Sequence, residues 1–126
     1  MDIKIVIDDK IPYIREAVAK LTTRVVYKRG ADITAADVRD ADALIVRTRT
    51  RCDAALLDGS RVRFVATATI GFDHIDTEYM RRAGISWTNC PGCNASSVAQ
   101  YVRSSLLLLR RDCGLEPSGA TLGVVG

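Results

Sequence analysis

Short apolar runs recur along the chain, separated by polar stretches long enough to form a short helix. The runs are rich in β-branched residues, which predicts β-strands at residues 3–7, 24–27, 43–46, 63–66 and 85–88. Strands that alternate with helices require right-handed crossovers and a parallel sheet. The pattern therefore predicts an α/β fold, a flavodoxin-like doubly wound parallel sheet.

Capping residues mark where the helices between these strands begin and end. Pro12 suits the first turn of a helix whose Ile14, Val18 and Leu21 fall on one face. The further signals are the capping box of Thr34 and Asp37, the N-caps Asp53 and Asp76, and the C-terminal glycines Gly59 and Gly84.

A longer helix is predicted after the fifth strand, from Asn94 to Asp112. Its apolar stripe is Val98, Val102, Leu106 and Leu109. At about 27 Å this helix is long enough to connect two domains. Residues 121–126 then predict a new strand, which either joins the first sheet or opens a second unit. We expect an α/β domain at 1–93, an interdomain helix at 94–114 and, at 115–126, the start of a nucleotide-binding domain. In that arrangement Gly126 is the first glycine of a G-x-G-x-x-G turn.

Composition and charge exclude several classes of protein. The chain has 126 residues, 48% of them hydrophobic, and a net charge of +3 with the two signs interspersed. There is no basic stripe for nucleic acid. The apolar run at residues 104–109 is too short to span a membrane, and the N-terminus does not resemble a secretory signal.

The cysteines favour reduced thiols over a metal or redox site. Only Cys90 and Cys93 are close in sequence, as Cys-Pro-Gly-Cys, and the single histidine, His74, cannot complete a zinc site with them. A redox pair at a helix start is the alternative. Reduced thiols are consistent with a cytoplasmic location.

Three stretches together resemble the D-2-hydroxyacid dehydrogenase family. Residues 66–76 resemble its substrate loop, residues 94–101 the start of its interdomain helix, and residues 121–126 the first strand of its coenzyme domain. The order and spacing also match, so the resemblance covers the whole chain. It implies a homodimer that uses NAD. The family's catalytic histidine, arginine and glutamate would all lie beyond residue 126, so His74 is expected to be structural and the chain alone to be inactive.

Within the family, other segments resemble a branch whose substrate is a small phosphorylated hydroxy acid. They are Asp8-Asp9 with Pro12-Tyr13, Val46-Arg47-Thr48, Thr67-Ala68-Thr69, and Pro91-Gly92-Cys93-Asn94-Ala95. Two positions depart from that branch: Gln100 replaces the usual glutamate, and Arg49 adds a charge after Thr48.

The candidate substrate site lies at the carboxyl ends of the strands, where ligands bind in open α/β sheets. Backbone N–H groups near Ile70 and Gly71 can approach a carboxylate, because glycine has no Cβ in the way. Thr48 and Thr69 add hydroxyl donors, although Thr69 could instead cap its own turn. Asn94 is expected to cap its helix or to point its amide at the substrate. Gly126 is the one residue assigned to the coenzyme.

Arginines follow the third strand at alternate positions. If the extended conformation continues, Arg47, Arg49 and Arg51 share a face, and their forked guanidinium groups suit a phosphate. Arg47 is the preferred contact. The alternative is a solvated strand edge.

Other functions stay open. The same loop would fit a family member acting on phosphoglycerate, hydroxypyruvate or formate, and a stand-alone binding domain without catalysis is a further possibility. A phosphoacceptor receiver domain also has an acidic pair after its first strand. However, it needs an aspartate after the third strand and a lysine after the fifth, where this chain has Val46-Arg47 and Asn89-Cys90. Asp8 and Asp9 are therefore interpreted as loop charges.

Overall fold

The computed structural model describes residues 3–21 and 24–125. The chain forms two compact units, Met1–Pro91 and Gly92–Gly126, each with its own internal contacts.

The first unit contains one five-stranded sheet. Its strands are β1 (Ile5–Asp8), β2 (Val25–Lys28), β3 (Ala43–Val46), β4 (Phe64–Thr67) and β5 (Ser86–Thr88). All neighbours pair in parallel, in the order β2-β1-β3-β4-β5. This confirms the predicted flavodoxin-like doubly wound sheet, and β3 has the predicted bounds.

The helices that connect these strands are short. They are α1 (Ile14–Val18), α2 (Ala35–Val38), α3 (Ala54–Leu57) and α4 (Thr77–Ala83), with a 3₁₀ turn at Gly30–Asp32. The capping residues predicted for α2, α3 and α4 are confirmed, whereas Pro12 lies before the start of α1. Thr34 and Asp37 form a capping box, Asp76 Oδ1 accepts from the Tyr79 N–H at 2.9 Å, and Gly84 ends α4 with φ 67°.

The first helix is shorter than its apolar spacing predicts. It begins after Tyr13, whose φ is 58°, and ends at Val18, the one buried residue of the helix. Leu21 lies beyond the helix and is 69% exposed, so the prediction that it shares the buried face was wrong. Residues three or four apart share a face only while the helix continues, and here it stops one turn too early.

Alternate residues of the strands enter two separate cores. Val6, Leu44 and Val65 pack on one face of the sheet with buried residues of α2, α3 and α4. Ile5 and Ile7 pack on the other face with Val18 of α1. The period-2 alternation of a strand explains this division, since successive side chains point to opposite faces.

Asp8 is not the loop charge that the sequence predicts. It is the last residue of β1 and is buried, with Oδ1 accepting from the Lys10 N–H at 3.0 Å. Its carboxylate packs directly against Gly30, whose carbonyl accepts from the Thr50 hydroxyl at 2.8 Å. The interpretation of Asp8 failed because a buried carboxylate at a strand end depends on this tertiary packing.

The second unit is built on α5 (Ala95–Cys113), which Gly114 ends with φ 68°. No helix in the described ranges is both long and apolar enough to cross a membrane. The side chains of the predicted apolar stripe are mostly exposed. Three of them, Val98, Val102 and Leu106, line an apolar groove of about 680 Å³ together with Pro117 and Val124.

The strand expected after α5 is not formed at residues 121–125, which have no regular secondary structure. A strand needs a neighbour to pair with, and within the described part of the second unit there is none. Gly126 lies outside the described residues, so its assignment stays a prediction.

The packing at Gly30 generates a stability prediction. A Cβ at this position would lie 2.5 Å from Asp8 Oδ2 and 3.1 Å from Thr50 Oγ1. Since Asp8 and Thr50 are buried and hydrogen-bonded, moving either aside would break a contact, and we expect Gly30→Ala to lower the free energy of unfolding by about 1–3 kcal/mol. Urea unfolding followed by the fluorescence of Trp87, the single tryptophan, measures this.

Gly71→Ala is the matched control, because nothing lies within 4 Å of a Cβ built there. Its free energy of unfolding should stay within about 0.5 kcal/mol of the parent chain. Equal unfolding midpoints for the two variants would contradict the proposed packing of Asp8 against Gly30.

Candidate functional site

Two loops leave the sheet side by side at the carboxyl ends of β3 and β4. Val46 and Thr67 are paired as the last residues of these strands, and the Ala68 N–H continues the ladder to the Val46 carbonyl at 2.9 Å. The loops are residues 47–51 and residues 68–74. They begin next to each other because parallel strands end at the same edge.

The same two loops are joined again at their far ends. Cys52 and Ile75 form an isolated parallel bridge, in which the Cys52 N–H donates to the His74 carbonyl at 2.8 Å and the Asp76 N–H to the Cys52 carbonyl at 2.9 Å. Burial raises the pKa of the Cys52 thiol to about 12, so the side chain is a neutral packing group. The two loops therefore form a closed ring.

A cavity of about 350 Å³ lies within this ring, a volume usual for small-molecule sites. Its lining residues are Thr48, Arg49, Arg51, Gly71, Asp73 and His74. The structure thus brings together Thr48 and Gly71, two residues that the sequence assigns to substrate binding. Arg47, Thr69 and Ile70 belong to the same loops but do not line the cavity.

A chain of hydrogen bonds fixes the 68–74 loop from the inside. The Thr69 hydroxyl donates to the Gly71 carbonyl at 2.9 Å and lies 2.7 Å from the Thr67 hydroxyl, which in turn lies 2.8 Å from His74 Nε2. Because a hydroxyl has one proton, Thr67 must donate to Thr69, and His74 Nε2–H must donate to Thr67. This agrees with the structural role predicted for His74 and with the turn-capping alternative for Thr69.

The carbonyls of Thr69 and Ile70 are held by hydrogen bonds, while the N–H groups of Ile70 and Gly71 are not. The Thr69 carbonyl accepts from the Cys90 N–H at 3.0 Å, and the Ile70 carbonyl accepts from the Asn89 side-chain amide at 2.7 Å. In a trans peptide the N–H points away from the carbonyl of the same unit. The N–H groups of Ile70 and Gly71 are thereby turned away from these partners, and neither donates to any other residue that the structure describes. Free, oriented amides are a site for an anion.

Asn89 is a positioning residue that the sequence analysis missed. It follows β5 directly, at the same sheet edge as the two loops, and its side chain holds the Ile70 carbonyl. The rule that polar residues after parallel strands meet at one edge could have identified it. Phe72 adds an apolar contact to the same strand, with its ring centroid 5.1 Å from that of Trp87.

The arginines do not continue an extended strand. The chain turns after β3, with the Thr50 N–H donating to the Arg47 carbonyl at 3.3 Å, so the prediction that the three arginines share a strand face was wrong. Arg47 Nη1 lies 3.4 Å from the Lys10 carbonyl, whereas Arg49 and Arg51 line the cavity. The turn forms because Thr50 is buried and donates to Gly30.

Asn94 lies in the second unit, immediately before α5. Its side chain makes no capping hydrogen bond, so the predicted side-chain cap is absent, while its carbonyl accepts from the Val98 N–H at 3.0 Å. Cys90 and Cys93 are exposed and not in a disulfide. A substrate contact by Asn94 stays a prediction.

Comparison with known proteins points to one family. The family model described as D-isomer specific 2-hydroxyacid dehydrogenase, catalytic domain, matches residues 4–123. An erythronate-4-phosphate dehydrogenase of Bacteroides fragilis (strain YCH46) is 58% identical over 123 residues, which are 98% of this chain and 35% of that protein. The chain spans about a third of the length of the curated relatives it matches.

Solved structures share the fold. The pyruvate reductase of Chlamydomonas reinhardtii matches 86% of this chain and 34% of its own with a TM-score of 0.70 at 20% identity. The NAD⁺-bound 3-phosphoglycerate dehydrogenase of Entamoeba histolytica matches 86% of this chain and 39% of its own with a TM-score of 0.66 at 28% identity.

The burial of His74 generates a pH prediction. Burial lowers the pKa of His74 below its usual value of 6.5, although Asp73 opposes this shift. The unfolded chain therefore binds a proton more readily than the folded chain. Neutral His74 is compatible with the folded chain, so the full free energy of unfolding is present above about pH 6.5. It decreases as the pH falls towards the lower pKa that His74 has in the folded chain.

We expect the free energy of unfolding of the parent chain to decrease from about pH 7.5 to about pH 5.5 more steeply than that of His74→Gln, which cannot titrate. Urea unfolding at a series of pH values measures both slopes. Slopes are compared, and not absolute values, because His74→Gln can also change the free energy of unfolding by the same amount at every pH. Parallel curves would show that His74 titrates alike in both states.

Proposed function

The chain belongs to the family of D-isomer-specific 2-hydroxyacid dehydrogenases, and from this we propose that it is the substrate-binding part of an enzyme that oxidises 4-phospho-D-erythronate. The product is the 2-oxo acid, 2-oxo-3-hydroxy-4-phosphobutanoate, and the reaction serves pyridoxal 5′-phosphate (vitamin B6) biosynthesis. The substrate is supported by the 58% identity to an erythronate-4-phosphate dehydrogenase.

The orientation of the Ile70 and Gly71 amides is the observation that carries the proposal. The carbonyls of the same peptide units accept hydrogen bonds from Asn89 and Cys90, which follow the neighbouring strand. The amides are therefore oriented before any ligand arrives. A carboxylate placed there would accept two backbone hydrogen bonds in a fixed geometry. Prior orientation lowers the entropy cost of binding.

The hydroxyls of the site would orient the rest of the acid. Thr48 lines the cavity on the opposite loop, and the Thr69 proton, given to the Gly71 carbonyl in this structure, can turn to a bound carboxylate. The substrate would then be held by its acid group, with C2 facing the part of the enzyme that this chain does not contain.

Within the described residues, no glycine-rich turn between a strand and a helix is available for a dinucleotide. We therefore assign NAD, the acceptor of the C2 hydride, to the remaining part of the enzyme, together with the base that takes the hydroxyl proton. Gly126 would begin that coenzyme site. The family resemblance also leads us to expect a homodimer in the cytoplasm, a catalytically inactive 126-residue chain, and a substrate contact by Asn94.

Another substrate of the same family is the second candidate. The 3-phosphoglycerate dehydrogenase noted above shares the fold at 28% identity, and a carboxylate site at Ile70 and Gly71 would serve its substrate equally well. The two candidates differ in the carbon chain between the acid and the phosphate.

The substrate is tested with the complete enzyme by following NADH formation. We expect kcat/KM for 4-phosphoerythronate to exceed that for 3-phosphoglycerate and glycerate by about tenfold or more, because the ring of loops fixes the distance between its binding groups. A preference for glycerate would reject the phosphorylated substrate and keep the family. A preference for 3-phosphoglycerate would support the second candidate.

Substitution of Thr69 tests the carboxylate site itself. Thr69→Val removes the hydroxyl that bonds Gly71, and we expect it to raise the KM for 4-phosphoerythronate by about tenfold with a smaller change in kcat. Thr69→Ser keeps the hydroxyl and should stay within about threefold of the parent enzyme. Steady-state kinetics that are the same for Thr69→Val and the parent enzyme would place the acid group elsewhere.

A further inference from the structure

The two loops of the ring carry different groups that can bind an anion, guanidinium groups on one loop and free backbone amides on the other. Arg49 and Arg51 lie on the 47–51 loop, while the free amides of Ile70 and Gly71 lie on the 68–74 loop. The turn at Thr50 brings both arginines to the cavity. A ligand with two anionic groups could therefore contact the two loops with opposite ends.

The two arginines differ in their existing partners. Arg51 Nε donates to Asp53 Oδ2 at 3.0 Å, so its charge is compensated by the carboxylate of the residue that caps α3. Arg49 is exposed and forms no ion pair or hydrogen bond with any residue in the described ranges. An uncommitted guanidinium on a cavity wall can bind an anion without first breaking a contact.

The other charges at the cavity are compatible with a phosphorylated polyhydroxy acid. Asp73 is the one carboxylate among the lining residues, and it lies on the amide loop, across from Arg49 in the ring. A carboxylate accepts hydrogen bonds from hydroxyl groups, which such a substrate carries between its acid and its phosphate. His74 adds no fixed charge, since burial lowers its pKa.

We propose that Arg49 binds the phosphate group of the substrate, which makes it a residue that determines specificity for phosphorylated over unphosphorylated hydroxy acids. The proposal rests on the proposed function, and it moves the phosphate contact from Arg47, which the sequence favours, to the next arginine. Arg47 is held at the Lys10 carbonyl and does not line the cavity. The guanidinium fork of Arg49 can donate two parallel hydrogen bonds to phosphate oxygens.

The test compares a phosphorylated and an unphosphorylated substrate in the complete enzyme. We expect Arg49→Ala to raise the KM for 4-phosphoerythronate by about tenfold or more and to leave kcat/KM for erythronate within about twofold, because only the first substrate carries the phosphate. Arg49→Lys keeps the charge without the fork and should recover part of the loss.

Two further arginine variants serve as comparisons. Arg63 is exposed and immediately precedes β4, at the opposite edge of the sheet, so Arg63→Ala removes the same charge far from the cavity and should change neither KM. Arg47→Ala tests whether Arg47, and not Arg49, contacts the phosphate. A selective loss for the phosphorylated acid in Arg47→Ala and not in Arg49→Ala would overturn the proposal, as would an equal loss for both acids in Arg49→Ala.

Failure of the proposed substrate can be distinguished from failure of this inference. If the parent enzyme prefers 3-phosphoglycerate, the proposed substrate is wrong, and the Arg49 variants are then measured on 3-phosphoglycerate and glycerate with the same expected selectivity. If the parent enzyme prefers erythronate to 4-phosphoerythronate and glycerate to 3-phosphoglycerate, the proposed substrate and the role of Arg49 are both overturned. Because Arg49 is exposed, unchanged urea midpoints should show that its variants fold.

Discussion

The site depends on the parallel pairing of β3 with β4 and on the second meeting of their loops at Cys52 and Ile75. The first contact places Val46 beside Thr67, and the second ties the far ends of the loops by two backbone hydrogen bonds. Between these two points neither loop can move away without breaking ladder bonds. This double attachment fixes where the two loops begin and end beside each other.

The sheet could be predicted from the sequence because its signals are local. The apolar run at Ala43–Val46 is recognisable as a strand from its own residues, and the Asp76 cap with its C-terminal Gly84 acts within one helix. The resemblance assigns the candidate substrate loop from a local signal too, since Ile70 and Gly71 lie in one continuous motif, and that assignment stays a prediction. Local signals therefore determined the order of the elements.

The geometry of the loops could not be predicted, because distant contacts determine it. The turn that ends the extended arginine run depends on Thr50 donating to Gly30, and the orientation of the amides depends on Asn89 holding Ile70. Each bond joins residues about twenty positions apart, and no short sequence pattern records such a pair. The burial of Asp8 has the same cause, since its carboxylate packs against Gly30.

The closed ring also limits how such a site can change. An insertion in residues 47–51 or 68–74 would have to bulge outward, since both ends of each loop are anchored by the sheet and by the Cys52–Ile75 bridge. Substrate range would then change through substitution of single side chains on an unchanged backbone, whereas unanchored surface loops commonly vary in length. In such an architecture we expect ligand preference to change through side-chain substitutions while the backbone stays the same.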